Sequence, residues 1–567
     1  MRAAAALASL ASLAAAQAPV VQTPCGAFEG AWRNDTLPAA AAFLGVRFAD
    51  APPRWRHSAA PPCDAGAYFA ATQQAPACIQ DSGFVERVQQ EDCLFLNLAV
   101  SPPEALSPTA LVPVLVFFHG GDLTVGSTDW YDSAVAASAF ASDAGPAVIV
   151  SCAYRLNVFG YLATADLAAE QGGHAGNYGL GDQLACLRWV QANVAFFGGD
   201  PARVTISGQS SGGTSVYGLL SGAGSRGLFS AAISLSGSEN SSFTPARKFA
   251  QDEAFVALSG CGGGASPAER VACMRALPAG ALGNSTPPAW DNSGMTELPQ
   301  RPGGYSYPAI IYADGLLAQL PLAQALREGL VDVPLLIAHM AQELEFQPAW
   351  VVRSQSPAQW AASLAANLSG LGAGAAAAVE AAYAAESAAS PQLALATIAA
   401  DLMTTCAMPG LVRDALGAPG AARKAPVYAL LGNAWPGNPS GYPTFLPGYA
   451  TPYAMHMWDL IAAWRAWNFT ATFFGQLPYA PTAGDEAYGR ATRATWYALM
   501  AEPSAAPPGL LPVDAAPGWP AHYNVFVQGN GTMSPGAGAN VVDYKADRCA
   551  LWASLLAPDP RGYWWCN

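Results

Sequence analysis

Ser210 lies in the stretch VTISGQSSGGTSV (204–216), where Gly208-Gln209-Ser210-Ser211-Gly212 fits the pattern G-x-S-x-G. A β-branched run precedes these residues and an apolar, helix-capable run follows. Small residues therefore stand where a strand would turn sharply into a helix. Such a junction exposes a serine hydroxyl and aims the next backbone N–H, that of Ser211, at the same space. The pattern alone is weak, because glycine supplies 56 of the 567 residues. A plain loop that needs small residues would read the same way. What separates the two readings is whether partners exist elsewhere. Serine is a poor nucleophile at neutral pH and needs a histidine to take its proton and a carboxylate to orient that histidine.

After a G-x-S-x-G turn the acid and then the histidine follow in chain order. Of six histidines, His339, His456 and His522 come after Ser210. His339 ends a strand-like run, a place suited to the acid's own loop, which leaves His456 and His522. Acyl transfer also needs backbone N–H donors for a developing oxyanion. HGGD (119–122) directly follows the run LVPVLVFF (111–118), and its glycines let the backbone approach a substrate closely.

These loops must be carried by regular elements. LVPVLVFF (111–118), AVIVSCA (147–153), VTIS (204–207), AAISLSG (231–237), VPLLIAHM (333–340) and VYALLGN (427–433) are short apolar runs that read as strands buried on both faces. Between them, 181–197 carries Leu184, Leu187, Val190 and Val194 at near-helical spacing. Strands alternating with helices predict an α/β protein: a large, mostly parallel central sheet flanked by helices, with its site at the carboxyl ends of the strands. The Ala-rich stretch 361–390 is interrupted by Asn367, Glu380 and Glu386. It reads as surface helices broken near Gly370 to Gly374.

Hydrophobic residues make up 52% of the chain and charged residues 12%, ample for a large core. With a net charge of −14, only 26 Lys and Arg, and no basic patch, a nucleic-acid or anionic-membrane partner is not expected. No repeat and no long polar linker divides the chain, so one catalytic domain is expected over 17–567. Residues 1–16 read as a secretory signal peptide cut after Ala16, and no later run suggests a stable membrane span. Eleven cysteines fit an oxidising compartment, as do sequons at Asn34, Asn240, Asn284, Asn367, Asn468 and Asn530. The expected location is the secretory-pathway lumen or outside the cell.

The chain resembles the type-B carboxylesterase/lipase family, the α/β-hydrolases that include cholinesterases and carboxylesterases. The resemblance is carried by EDCLFLNL (91–98), VFFHGGDLTVGS (116–127), YRLNVFGYL (154–162) and the long block from Gly176 to Gly213. VPLLIAHMAQELEF (333–346), YAMHMWDL (453–460) and DYKADRCALWASLL from Asp543 onward extend it. It implies Ser210 as nucleophile, His456 as base and Glu343 as the orienting acid, with Glu345 the competitor two residues on. It implies an oxyanion hole from the N–H groups of Gly121, Asp122 and Ser211. It also implies the disulfides Cys78–Cys93, Cys261–Cys273 and Cys406–Cys549.

Three positions depart from the family pattern. Asp122 replaces a third glycine, Gln209 replaces a glutamate, and Leu344 replaces the glycine after the acid. A carboxylate at 122 would repel an oxyanion, so its side chain is expected to turn away. Cys25 and Cys63 are a candidate further pair. Cys152 and Cys186, in apolar runs, read as inert core thiols. Cys566 is left over, either free or available to bridge a homodimer.

The reaction so implied is hydrolysis of a carboxylic ester through an acyl-enzyme, with no metal and no cofactor. Small-molecule or lipid esters are the expected substrates. Choline esters are disfavoured, because cholinesterases seat the quaternary ammonium on a tryptophan in the first disulfide loop. Here that loop, IQDSGFVERVQQED (79–92), has none. Its charges, Asp81, Glu86, Arg87, Glu91 and Asp92, also make it a poor apolar lid. The alternative is a catalytically inactive, secreted binding protein of the neuroligin-like kind.

Overall fold

The computed structural model describes residues 17–81, 83, 85–238, 244–264, 266–284, 311–343, 352, 354–406, 412, 424–438, 453–469, 479–508, 510, 512, 522–527, 540–542 and 545–556. Residues 1–16, expected to be a signal peptide, lie outside the described residues, as do Leu344, Glu345, Cys566, the sequon asparagines Asn240 and Asn530, and the His522 side chain.

In chain order the strands begin with β1 (Val20–Thr23), β2 (Gly26–Glu29), β3 (Ala31–Arg33), β4 (Ala40–Arg47) and β5 (Tyr68–Ala70). Next come β6 (Ala77–Cys78), β7 (Gln89–Gln90), β8 (Phe95–Ser101), β9 (Val112–Phe118), β10 (Ala147–Cys152) and β11 (Gly199–Gln209). The last are β12 (Ala231–Leu235), β13 (Leu335–Met340), β14 (Val427–Asn433), β15 (His522–Val527) and β16 (Asn540–Val542). An 11-stranded sheet runs β16-β15-β14-β13-β12-β11-β9-β10-β8-β4-β3. From β15 to β10 all neighbours are parallel, while β16 at one edge and β8, β4 and β3 at the other pair antiparallel. This is the large, mostly parallel sheet that the alternating runs predicted, in the α/β-hydrolase arrangement that the family resemblance implied.

The apolar runs are continuous because helices cover both faces of the sheet. Every residue of β9, β10 and β13 is buried. Helix Tyr178–Asn193 covers one face through Leu180, Leu187 and Val190, all of which join the main core. Its Asp182 accepts two bonds from the Arg155 guanidinium at 2.7 and 2.8 Å. A third guanidinium nitrogen donates to the Arg56 carbonyl at 2.8 Å, so this buried charge is paired and hydrogen-bonded.

Strand order reverses at β9, which lies between β10 and β11. A crevice opens at such a switch point, outside the carboxyl ends of the strands. The register fixes what borders it. Gly208 of β11 pairs with Phe118 of β9, and Gln209 pairs with Leu235 of β12. Leu235 in turn pairs with Ala338 of β13. His119, Ser210, Ser236 and the turn after Met340 therefore emerge side by side.

Two expectations are corrected. Cys152 and Cys186 are not free thiols but form a disulfide. Cys152 ends β10, and Cys186 lies on the buried face of the helix packed over it. A buried thiol and a buried half-cystine look alike in an apolar run. The Ala-rich stretch does form helices, Pro357–Asn367, Ala375–Ala382 and Ala384–Ala389, parted near Gly372 and Gly374 at φ 98° and 88°. They are not purely superficial: Trp360, Leu364 and Val379 pack with Tyr383 and Trp552 in a small core of their own. Cys25–Cys63, Cys78–Cys93, Cys261–Cys273 and Cys406–Cys549 are also bonded. No helix among the described residues is long and apolar enough to cross a membrane.

Candidate active site

β11 ends at Gln209, and helix Ser211–Ser221 starts two residues later. Ser210 makes the turn alone, at φ 56° and ψ −125°, a conformation costly for any residue with a side chain. The turn is fastened by Ser210 N donating to Leu235 O at 2.7 Å and by Thr214 N donating to Ser210 O at 3.0 Å. Both glycines of the motif are sterically required. A Cβ at Gly208 would fall 2.2 Å from Gly212 O, and one at Gly212 would fall 2.1 Å from Phe118 O. Ser210 is half-exposed at the end of a helix whose dipole favours negative charge there.

Glu343 follows β13 and is fully buried. Its Oε1 accepts from Ser236 Oγ at 2.6 Å and from Met340 N at 2.9 Å. Its Oε2 accepts a hydrogen bond from the Nδ1–H of His456. Burial alone would raise this carboxyl, but the charge and hydrogen bond of His456, with the other two donors, outweigh it and hold the pKa below the usual value. The two loops are stitched together by Gln342. Its backbone N–H donates to Ala454 O at 3.0 Å, and its side-chain oxygen accepts from Ala454 N at 3.0 Å.

With the Nδ1 proton on the Glu343 side, neutral His456 has only a lone pair at Nε2. The Gln209 side-chain Nε2 donates to that lone pair at 2.9 Å. His456 thus joins the buried acid to the turn that carries Ser210. His339, in β13, stays outside this grouping; burial lowers its pKa to about 4.

The loop after β9 lies directly on the serine turn. A Cβ at Gly120 would meet Gln209 O at 2.7 Å and Ser210 Cβ at 3.0 Å. Gly121 and Asp122 both have positive φ, 109° and 56°. Leu123 N donates to Ser211 Oγ at 3.0 Å, tying this loop to the start of the helix. Among the described residues, the N–H groups of Gly121, Asp122 and Ser211 donate to no other protein group. The Asp122 carboxyl lies close enough to His456 to feel its charge. Burial raises its pKa to about 6, against the opposing pull of His456, although the residue keeps some solvent exposure.

Three neighbours were not singled out from sequence. Ser236, at φ 48°, orients the acid. Its signal was the SLSG end of β12. Tyr154 Oη donates to His119 O at 2.6 Å, and the two rings stack at 4.4 Å beneath the glycine loop. Asp459, buried three residues beyond His456, has its pKa raised to about 7 by burial and by the charge of Glu343.

Sheet topology, serine turn and the Glu343–His456 pair define an α/β-hydrolase. The carboxylesterase family model matches residues 17–431, and the chain belongs to that family. Carboxylesterase 3B of Mus musculus is 38% identical over 272 residues, 45% of this chain and 46% of that protein. Liver carboxylesterase 1 of Oryctolagus cuniculus is 40% identical over 255 residues, 40% of this chain and 43% of its own length. Neuroligin-2 of Mus musculus is 34% identical over 278 residues, 41% of this chain and 32% of that protein. The matched stretch spans less than half of each of these relatives.

Proposed function

We propose that this protein is a secreted serine esterase that cleaves carboxylic esters through an acyl-enzyme on Ser210. The observation that carries the reading is His456, held by buried Glu343 at one ring nitrogen and presented to the serine turn at the other. Ser210 Oγ attacks the ester carbonyl while His456 Nε2 takes the hydroxyl proton. Gln209 must yield that lone pair at this moment. Glu343 offsets the imidazolium charge and fixes the tautomer. The N–H groups of Gly121, Asp122 and Ser211 receive the oxyanion. His456 then protonates the leaving alcohol, and water activated by His456 frees the acid. No step calls for a metal or cofactor.

Neutral small-molecule or lipid esters suit the site best, since the disulfide loop offers no tryptophan to a quaternary ammonium. The disulfides support a secretory location. A bridge through Cys566 would make a homodimer. The similarity to neuroligin-2 supports the other reading, an inactive binding protein. Hydrolysis of short-chain p-nitrophenyl esters by the wild type and by Ser210→Ala decides between them. Activity that disappears in the variant supports the esterase; no activity in either overturns it.

A further inference from the structure

The segment closed by Cys78–Cys93 packs on the loop that carries Gly121 and Asp122, and Gln80 makes the join. Its Nε2 donates to Gly126 O at 2.8 Å, and its Oε1 accepts from Gly126 N at 2.7 Å. One side-chain amide thus pairs with both polar groups of one backbone residue. The same Nε2 donates to Cys78 O at 3.0 Å, and Gln80 N donates to Gln89 Oε1 at 2.8 Å. The amide is therefore fixed from behind by β6 and β7 before it reaches across.

Gly126 is where the glycine loop ends. Residues 121–125 close on themselves, with Thr124 N and Val125 N both donating to Gly121 O at 2.9 Å. Gly126 has φ 132°, and a Cβ on it would fall 2.1 Å from His119 Nδ1. Its backbone is thus pressed against the His119 ring. That ring nitrogen is 2.9 Å from Gly120 O. Any shift of Gly126 moves His119, and with it the peptide that leads into Gly121 and Asp122. Arg87 adds a second tie from the same segment, bonding Ala75 O at 2.6 Å and Ser127 Oγ. It holds the residue after Gly126, not Gly126 itself.

We infer that Gln80 is a positioning residue: its amide pins Gly126 and thereby sets the backbone of 119–122 that presents the oxyanion donors. This rests on the esterase reading of Ser210. Only an amide of this length offers a donor and an acceptor in one plane at this reach. Glutamate would set a second acceptor against Gly126 O, and leucine would leave both Gly126 groups unpaired. Sub-ångström placement of such donors matters because the oxyanion forms only in the transition state, so the loss falls on kcat rather than on KM.

The test compares wild type, Gln80→Leu and Gln80→Glu in steady-state ester hydrolysis and in hydrogen exchange of peptides covering 119–126 and 204–209. Gln80→Leu is expected to lower kcat about 10- to 100-fold with KM within about 3-fold. Exchange across 119–126 should quicken while 204–209 keeps its protection. Gln80→Glu, which keeps the acceptor for Gly126 N and nearly the same shape, should fall between. The exchange readout needs no catalysis, so a wild type without esterase activity overturns the esterase reading while exchange still judges the clamp. Unchanged exchange in Gln80→Leu overturns the inference, as does quickened exchange with an unaltered kcat in an active enzyme.

Discussion

His456 Nε2, the ring nitrogen that would serve Ser210 in the proposed mechanism, accepts a hydrogen bond from the Gln209 side-chain amide at 2.9 Å. An amide donor here favours the neutral imidazole, because a protonated Nε2 would face it donor to donor. A carboxylate would do the reverse. Gln209→Glu is therefore expected to make His456 keep its proton to higher pH. The other charges facing the ring, Glu343, Asp122 and Asp459, remain as they are. The acidic limb of the kcat/KM–pH profile should move up by about one pH unit. A limb that stays in place would show that Gln209 does not set the protonation of His456.

Asp122 carries a second pH effect. Its pKa of about 6 means that it is neutral at pH 5 and ionised at pH 8. Once ionised, it opposes an oxyanion held by its own N–H group. It also favours the imidazolium, but Glu343 supplies that charge in direct contact, so the repulsion should prevail. Asp122→Asn is expected to raise kcat/KM roughly 3- to 10-fold at pH 8 and to change it less than about 2-fold at pH 5. Equal effects at both pH values would refute a charge-based role.

Asp459 should be felt in stability. Its pKa is raised to about 7, above the ordinary carboxylate value of 3.8. Below about pH 4 both folded and unfolded chains hold the proton, and burial is not penalised. Between these values the unfolded chain releases its proton and the folded one does not, so stability falls as pH rises. Above pH 7 the loss is complete. Asp459→Asn should then be more stable than wild type by roughly 1–3 kcal/mol at pH 8 and no different at pH 4. Thermal melts at the two pH values check this; a gain that does not depend on pH would point to packing instead.

The Cys152–Cys186 bridge closes a loop of sequence separation 34 between β10 and its covering helix. Replacing both by alanine is expected to cost about 3 kcal/mol. Because neither cysteine belongs to the group of Ser210, His456 and Glu343, activity at 25 °C should persist while the melting temperature falls. A melt that does not move would mean that packing alone holds this helix to the sheet.

How far the sequence could be read depended on how local each signal was. β9, β10 and β13 announced themselves as unbroken apolar runs because both of their faces are covered. β4, AAAFLGVR, did not. Alanine and glycine favour strands poorly, and its partner β8 lies some fifty residues away in sequence. Ser210 was legible because two glycines and a strand-to-helix change converge there. Its partners were less so: Glu343 and Glu345 fit the chain order equally, and only the family likeness favoured Glu343. The contacts of Ser236, Gln209 and Gln80 follow no local pattern, since sheet register and loop packing create them. Asp122 was legible as an oddity, but the positive φ it shares with Gly121 was not, since loop packing on the serine turn sets it.

The most direct test is to expose the folded protein to a fluorophosphonate and map the adduct by peptide mass. A serine poised by His456 and supported by oxyanion donors should be modified stoichiometrically at Ser210, in the peptide spanning 204–216. Labelling should be lost in His456→Ala. A folded wild type that takes up no label at Ser210, or that labels equally well without His456, would contradict the account.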